Sequence, residues 1–359
     1  MQFPELKDLH IRITSKCNFN CPHCYASTWF SKKDALSFQD FKSLIFQAIP
    51  LGVKKVTFTG GEPLTYKYIC DAIKLCIDSG LRVEIETNGS LIEILFNKIK
   101  NYLNKIEFSI SYDGENMRPS SYNVRENIVK LASMGCSLKL QTVLTLLNIS
   151  EIDNILMFSQ KLKIKNRVFL THSPTGNGEN LKSLDFHECL SIVKKIKLKY
   201  AHAVLELPDV LSGGSQKKCG WGIHRCEIMP NGDVTSCGPI AFNDKNFVAG
   251  NIKKSNLKEI WCSDHFFYIR KKKKKDFTGL CSKCIFWETC LGACRSISYS
   301  VGGNLLSSHP FCDTLFASVK NKSVDLNLIP DVDRVLRWIT EIENNNFLPN
   351  KLTLKEIVL

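Results

Sequence analysis

The chain has 359 residues, 44% of them hydrophobic, which suits one large domain or two ordinary ones with a buried core. It contains 16 cysteines and has a net charge of +13. Residues 1–5 do not resemble a secretory signal peptide, and no apolar run approaches the roughly 18 residues of a transmembrane helix. These features disfavour a secreted disulfide-bonded protein and a membrane protein, and we expect a cytoplasmic chain that binds metal.

Strand-like and helix-like segments alternate through the first half of the chain. Runs rich in Val, Ile, Phe and Thr predict strands at 8–14, 53–59, 81–87, 105–111, 138–145 and 166–171. Amphipathic spacing predicts helices at 37–49, 66–79, 91–101, 121–134 and 150–162. Six β–α units with short connections predict an α/β fold, a partial (β/α)6 barrel of the TIM type with helices outside a parallel sheet. Chemistry in such a fold belongs at the carboxyl ends of the strands.

Three cysteines follow the first predicted strand. Cys17, Cys21 and Cys24 have C-x3-C-x2-C spacing on one tight loop. Three thiolates can hold three irons of a [4Fe–4S] cluster and leave the fourth iron open to a small molecule. Zinc is the alternative, but it would need a fourth ligand such as His10 or His23.

Polar motifs also end the next three predicted strands. Gly60, Gly61, Glu62 and Pro63 end the second strand, where glycines permit close backbone approach and a carboxylate suits an ammonium group. Asn88 ends the third strand and Ser111 the fourth. As alternatives to a binding role, the Gly-Gly-Glu-Pro segment would be a simple turn, and the two polar residues would cap the helices that follow.

The pattern changes in the second half of the chain. It loosens around 172–215, apart from a helix predicted at 184–199, and cysteines become frequent from 219 to 312. We therefore predict a barrel domain over 1–204, a cysteine-rich domain over 205–318 and a tail over 319–359 with a helix near 332–343.

Six consecutive basic residues, 270–275, are typical of a solvated face, or would attract an acidic peptide or nucleic acid. No aromatic residue interleaves with them, so we do not expect nucleic-acid binding.

The later cysteines have a specific spacing. Cys281-x2-Cys284-x5-Cys290-x3-Cys294 is followed by a 17-residue gap and Cys312. Upstream, 12 residues separate Cys219 from Gly232, and four more separate Gly232 from Cys237. A zinc ribbon is the alternative for paired cysteines, although C-x5-C-x3-C is not a usual ribbon spacing. The remaining cysteines, expected in the core, are Cys70, Cys76, Cys136, Cys189 and Cys262.

The first cysteine loop and the Gly60–Pro63 motif together resemble the radical S-adenosylmethionine (SAM) superfamily, and the later cysteines resemble the seven-cysteine SPASM domain. The resemblance implies three [4Fe–4S] clusters and SAM, with Gly60–Pro63 facing the SAM amino group and Asn88 and Ser111 near its ribose or carboxylate. It implies two auxiliary clusters, an outer one held by Cys281, Cys284, Cys290 and Cys312, and an inner one held by Cys219, Cys237 and Cys294 with Cys226 as fourth ligand. If Cys226 is free, the inner cluster would have an open iron that could bind a substrate thiolate.

The resemblance also implies an activity. Radical SAM enzymes cleave SAM reductively to a 5′-deoxyadenosyl radical that removes a substrate hydrogen. SPASM members mostly modify ribosomally made peptides or protein side chains, for example by thioether or carbon–carbon crosslinks. We therefore expect an oxidoreductase that matures a peptide and works where oxygen is low. The alternatives are an enzyme acting on a sugar or cofactor precursor and an iron–sulfur electron carrier without radical chemistry.

Two departures from the family pattern narrow this expectation. Gly238 follows Cys237 where sulfatase-maturing members have a general-base Asp, which argues against formylglycine formation unless Asp113 or Glu227 substitutes. Only 16 residues precede Cys17, so leader recognition would use the barrel surface, the basic run, the tail or a separate peptide-recognition protein. An external electron donor of the flavodoxin or ferredoxin type is also expected.

Overall fold

The computed structural model describes residues 4–28, 34–115, 117, 123–170, 175–213, 219–242 and 244–344. Its strands are β1 (Asp8–Thr14), β2 (Lys55–Gly60), β3 (Arg82–Thr87), β4 (Ile106–Ser111), β5 (Ser137–Val143), β6 (Lys165–Phe169), β7 (Ala203–Leu205), β8 (Arg225–Ile228), β9 (Asp233–Thr235) and β10 (Val248–Asn251). Its α-helices are α1 (Phe38–Ala48), α2 (Ile69–Asp78), α3 (Glu93–Ile99), α4 (Val124–Ser133), α5 (Ile152–Lys161), α6 (Phe186–Lys199), α7 (Asp209–Ser212), α8 (Gly238–Ala241), α9 (Leu257–Trp261), α10 (Asp264–Lys271), α11 (Trp287–Cys290), α12 (Arg295–Gly302), α13 (Pro310–Lys320) and α14 (Val332–Asn344).

Local sequence signals explain where several helices begin. The Ser37 hydroxyl caps α1 by accepting the Asp40 backbone N–H at 3.0 Å. Helix α6 starts with a capping box, in which Asp185 accepts the Glu188 N–H and the Glu188 carboxylate accepts the Asp185 N–H. These side chains satisfy backbone donors that a helix N-terminus leaves without partners.

The chain divides into two interleaved units, the first made of Met1–Gln141, Thr175–Glu179 and Gly220–Lys271. In this unit the strand order is β10-β9-β8-β1-β2-β3-β4-β5. Strands β1–β5 pair in parallel in chain order, and β8 pairs in parallel with the other edge of β1. Strands β9 and β10 extend the sheet in antiparallel fashion. The α/β class with a parallel sheet is therefore confirmed.

The two faces of β1–β5 differ in chemistry, because successive side chains of a strand point to opposite faces. One face is apolar and buried, with Leu9, Ile11, Phe58, Ile85, Phe108 and Leu140. The alternate positions are polar: His10, Arg12, Thr57, Thr59, Glu84, Glu86, Glu107, Ser109, Ser111, Lys139 and Gln141. Parallel strands are normally apolar on both faces, so this polar face indicates a place for a polar ligand.

The second unit comprises Thr142–Pro174, Asn180–Cys219 and Lys272–Leu359. Strands β6 and β7 pair in parallel, and a continuous core joins α5, α6, α13 and α14 through buried residues such as Leu156, Leu190, Phe311 and Trp338. The two units are defined by contacts in space and not by limits in the sequence. The predicted domain limits at 204 and 318 therefore stay a prediction.

The structure differs from the sequence-based expectation mainly in small elements. Strands β7–β10 lie outside the predicted strands, because three or four residues are too few for a recognisable alternation. In the described part of the chain, no helix has the length and apolar character needed to cross a membrane.

Candidate functional site

The first cysteine loop directly follows β1. Cys17, Cys21 and Cys24 are all partly buried, and the Cys24 N–H donates to the Cys21 carbonyl at 3.2 Å. Burial, together with the negative charges of Glu62, Cys21 and Cys24, raises the pKa of the Cys17 thiol to about 12, although the hydrogen bond from the Phe19 N–H opposes this shift. The three sulfurs therefore lie close enough to repel one another when ionised, and the positive charge of bound iron would offset that repulsion.

A short segment from later in the chain holds this loop. The Asn177 side-chain amide donates to the Cys21 carbonyl at 2.9 Å, and its backbone N–H donates to the Cys24 carbonyl at 3.0 Å. Gly176 has a φ of 60° and lies so close that a Cβ would come within 2.6 Å of the Cys24 carbonyl oxygen. Apart from the glycine-rich loop, no local sequence pattern indicates this contact.

The Gly60–Gly61 pair packs against the backbone that leads into Cys17. A Cβ on Gly60 would lie 2.3 Å from the Thr14 carbonyl oxygen, and one on Gly61 would lie 2.3 Å from that of Lys16. The Gly61 N–H donates to the Thr14 carbonyl at 2.8 Å. Glycine is required here because the two backbones touch, so the motif positions the cysteine loop in addition to any contact with a ligand.

Glu62 ties the turn after β2 to the end of β3. Its carboxylate, 1% exposed, accepts the Thr87 hydroxyl at 2.7 Å, the Asn88 N–H at 2.8 Å and the Leu64 N–H at 3.1 Å. Three donors keep this buried carboxylate in one orientation. The turn and the Asn88 backbone therefore form one rigid group beside the cysteine loop.

The two polar residues predicted at strand ends have different surroundings. The Asn88 amide donates to the Asn18 side chain at 3.0 Å, and its oxygen accepts the Ser90 N–H at 2.9 Å. Asn88 thus connects the end of β3 to the residue after Cys17. Ser111 lies partly exposed at the end of β4, in register with Gln141 of β5.

A buried charge network occupies the polar face of β1. Arg12 forms an ion pair with Glu227 of β8 and donates to the Tyr25 hydroxyl at 2.5 Å. His10 lies 3.1 Å from Glu86 and 3.7 Å from Glu227. Burial alone lowers the pKa of His10, but the Glu86 and Glu227 carboxylates raise it to about 9. His10 is therefore protonated at neutral pH, and the two cations balance the two carboxylates.

The two candidate general bases are both enclosed. Burial raises the pKa of Glu227, but Arg12, His10 and the Gly238 N–H at 2.7 Å lower it overall. A Cβ on Gly238 would lie 2.4 Å from the Glu227 carboxylate, so that carboxylate fills the space where residue 238 would carry a side chain. Asp113 is 1% exposed and lies 3.4 Å from the His23 ring.

Four of the later cysteines surround one cavity in the second unit. Cys281, Cys284, Cys290 and Cys312 all line this one cavity. Burial, together with the charges of Cys284 and Cys290, raises the pKa of Cys281 to about 12, although the Arg295 charge opposes this shift. The pKa of Cys312 is raised well above its ordinary value by burial and by the charges of the other three. The structure thus brings the outer ligand set predicted from the sequence to the lining of one cavity, and its role as a cluster site stays a prediction.

The four residues predicted for the inner cluster belong to different units. Cys219 and Cys294 lie in the second unit, where Cys294 precedes α12 and is exposed, and Cys226 and Cys237 lie in the first. Cys226 is fully buried in β8, opposite Leu9 on the apolar face of β1. Burial raises the pKa of its thiol, although the Arg270 charge lowers it. This position is typical of a core cysteine.

Other predicted features have simple structural roles. Cys70, Cys76 and Cys189 are buried, as expected of core residues, whereas Cys136 and Cys262 are only partly buried. Arg270, the first residue of the basic run, is not a free surface charge, because its guanidinium lies 3.7 Å from the Trp261 ring and donates to the Gly222 carbonyl at 3.0 Å. Across the described residues, no three His, Cys, Asp or Glu side chains are grouped as around a single metal ion.

Comparison with known proteins adds a family context. Residues 11–158 match the radical SAM superfamily, and residues 219–285 match the SPASM iron–sulfur cluster-binding domain. The chain is 25% identical over 336 residues to the AdoMet-dependent heme synthase of Methanosarcina barkeri, covering 84% of this chain and 94% of that protein. It is 25% identical over 325 residues to the mycofactocin maturase MftC of Mycolicibacterium smegmatis, covering 84% of this chain and 81% of that protein. Streptococcus suis SuiB bound to the precursor peptide SuiA has a similar fold, with a TM-score of 0.66 at 18% identity over 85% of this chain and 75% of SuiB.

Proposed function

The chain is a radical SAM enzyme with a SPASM domain, and we propose that it acts on a ribosomally made peptide or a protein side chain. The proposed reaction removes a hydrogen atom and ends in an oxidative modification such as a thioether or carbon–carbon crosslink. The observation that carries the proposal is the group formed by the cysteine loop, Gly60–Pro63 and Asn88. Hydrogen bonds join the three segments at the carboxyl ends of β1, β2 and β3.

In this proposal Cys17, Cys21 and Cys24 hold a [4Fe–4S] cluster with one open iron. SAM bound there supplies, on one-electron reduction by an external flavodoxin- or ferredoxin-like donor, the 5′-deoxyadenosyl radical that takes the substrate hydrogen. Gly60–Pro63 would face the SAM amino group, and Asn88 and Ser111 would lie nearest its ribose or carboxylate. Asn177 and the Gly60–Gly61 pair would keep the cysteine loop in place.

The polar face of β1–β5 supports a polar substrate. Within it, Glu86 is the more accessible carboxylate beside His10, with 29% of its side chain exposed, whereas Glu227 is fully enclosed. Because His10 and Arg12 already neutralise these carboxylates, the face offers hydrogen bonds without a large excess charge. The backbone amides of a peptide would find partners there.

In the proposal, the auxiliary clusters would serve in electron transfer. The proposed outer ligands Cys281, Cys284, Cys290 and Cys312 line one cavity, and four cysteine ligands leave no iron open for substrate. An oxidised product requires that an electron leave the substrate after hydrogen removal, and a closed cluster suits that task. The proposed total is three [4Fe–4S] clusters.

Two relatives favour a peptide over other substrates. MftC is a maturase by name, and SuiB has been solved with a precursor peptide. The direct test is to incubate anaerobically reconstituted protein with SAM, a reductant and peptides encoded by short neighbouring reading frames. We expect 5′-deoxyadenosine and a peptide that has lost two hydrogens, with a Cys17→Ala variant as the inactive control. Formation of 5′-deoxyadenosine without any change in peptide mass would contradict the peptide proposal.

A small-molecule substrate is the second candidate, favoured by the heme synthase similarity over 94% of that relative. The same incubation with a heme precursor in place of the peptide separates the two candidates, since only this candidate predicts a changed tetrapyrrole. No 5′-deoxyadenosine under any condition would overturn both and leave the electron carrier.

A further inference from the structure

The C-terminal helix α14 is part of the core of the second unit. Val335, Trp338, Ile339 and Ile342 lie on its buried side and belong to the same apolar cluster as Phe316. Arg334 fixes the start of the helix, because its guanidinium donates to the Asp209 carbonyl at 3.2 Å and lies 3.8 Å from the Phe286 ring. The helix therefore has a defined position relative to the residues around the outer cysteine cavity.

Trp338 brings this helix to the cavity itself. The residue is 1% exposed and lines the space between the four cysteines. Its indole N–H donates to the Cys284 sulfur at 3.3 Å. The Phe316 ring stands at 90° to the indole with the ring centres 6.0 Å apart, which restrains the orientation of the N–H.

Cys284 thus receives two N–H donors. The second is the Phe286 backbone N–H, which donates to the same sulfur at 3.4 Å. A hydrogen bond to a ligand sulfur stabilises negative charge there, and reduction adds negative charge to an iron–sulfur cluster. Hydrogen bonds to sulfur are one of the factors that set cluster potentials.

We propose that Trp338 is a positioning residue for the outer auxiliary cluster and raises its reduction potential through the N–H bond to Cys284. The proposal rests on the outer ligand set in the proposed function. The proposal assigns to α14 a role that the cysteine spacing does not predict. Through Trp338, the helix makes the outer cluster a better electron acceptor.

The test compares two substitutions of the same kind at one cavity. Trp338→Phe removes the indole N–H, and Trp287→Phe is the matched control, because Trp287 also lines the cavity but is not, among the described residues, a donor to a cysteine sulfur. Each protein is reconstituted anaerobically and titrated with dithionite while cluster signals are followed by electron paramagnetic resonance. The signal that Cys312→Ala lacks identifies the outer cluster.

We expect Trp338→Phe to lower the potential of that signal, changing the ratio of reduced to oxidised cluster at a fixed potential by up to about tenfold, which is 59 mV for a one-electron couple. We expect Trp287→Phe to leave the potential near that of the unmodified protein. An unchanged potential in Trp338→Phe with full iron content would overturn the proposal, and so would an equal shift in both variants.

If Trp338→Phe fails to retain iron, a benzothienylalanine at position 338 decides the question. This side chain keeps the shape of indole and replaces the N–H by sulfur, so a lowered potential supports the proposal and an unchanged one overturns it. A wrong assignment of the outer cluster would give a different result. In that case Cys312→Ala would have the same iron content as the unmodified protein.

Discussion

The Glu62 carboxylate accepts the backbone N–H of Asn88 at 2.8 Å, which connects the turn after β2 to the end of β3. The same carboxylate accepts the Thr87 hydroxyl and the Leu64 N–H. An acidic residue in this motif therefore has a structural role in this chain before any ligand binds. It fixes the distance between two segments that are both proposed to contact SAM.

Glu62→Gln tests this connection. An amide replaces one acceptor oxygen by a donor, so one of the three backbone or hydroxyl donors loses its partner in a buried place. Such a loss costs about 1–3 kcal/mol, and we expect SAM affinity to fall by about tenfold or more, since tenfold corresponds to roughly 1.4 kcal/mol. Equilibrium dialysis of SAM against reconstituted protein measures the change. Glu259→Gln, at an exposed position of α9, is the control, and normal SAM affinity in Glu62→Gln would contradict the expectation.

Gly61→Ala tests whether the glycine pair positions the cysteine loop. The added Cβ would lie 2.3 Å from the Lys16 carbonyl oxygen, so the backbone before Cys17 must move. We expect loss of the first cluster, seen as a fall of about four irons per chain from about 12. Gly80→Ala is the control, because a Cβ at Gly80 would meet no atom within 4 Å. Equal iron in the two variants would show that backbone contact at Gly61 does not support the cluster.

Sequence reasoning found the elements and motifs that depend on local spacing. The run of apolar and β-branched residues over 8–14 predicted β1, and the three cysteines after it predicted the loop. It could not find partners that are distant in sequence. Arg12 and Glu227 are 215 residues apart, and Asn177 is 156 residues from Cys21. Nothing in the local pattern around either residue specifies such a partner, because the pairing depends on how the strands and loops are placed in space.

The charge network predicts a pH dependence of stability. Histidine ordinarily titrates near 6.5, and the pKa of His10 in the fold is about 9. A raised pKa stabilises the fold fully below pH 6.5, and that contribution is lost as the pH rises through about 9. The difference between the two values corresponds to roughly 3 kcal/mol, so the urea midpoint should fall over this range.

Two variants isolate the contribution of His10. His10→Gln should have a lower urea midpoint than the unmodified protein at pH 6.5 and a flatter profile between pH 6.5 and 9. His187→Gln, at an exposed position of α6, should keep the original slope. A slope in His10→Gln equal to that of the unmodified protein would mean that another group titrates in this window.

Iron counting in three cysteine variants tests how the later cysteines are divided. Cys312→Ala should lose about four of about 12 irons per chain, because Cys312 lies with three other cysteines around one cavity.

Cys226→Ala separates the two alternatives for the inner cluster. The Cys226 side chain lies on the apolar face with Leu9 and is fully buried, which favours a core residue, so we expect iron to stay near the value of the unmodified protein. The control is Cys189→Ala in the core of the second unit, where the lost sulfur destabilises the protein without removing a ligand. If Cys226→Ala instead loses about four irons while Cys189→Ala retains them, Cys226 is the fourth inner ligand, and the alternative of an open inner iron that binds a substrate thiolate is excluded.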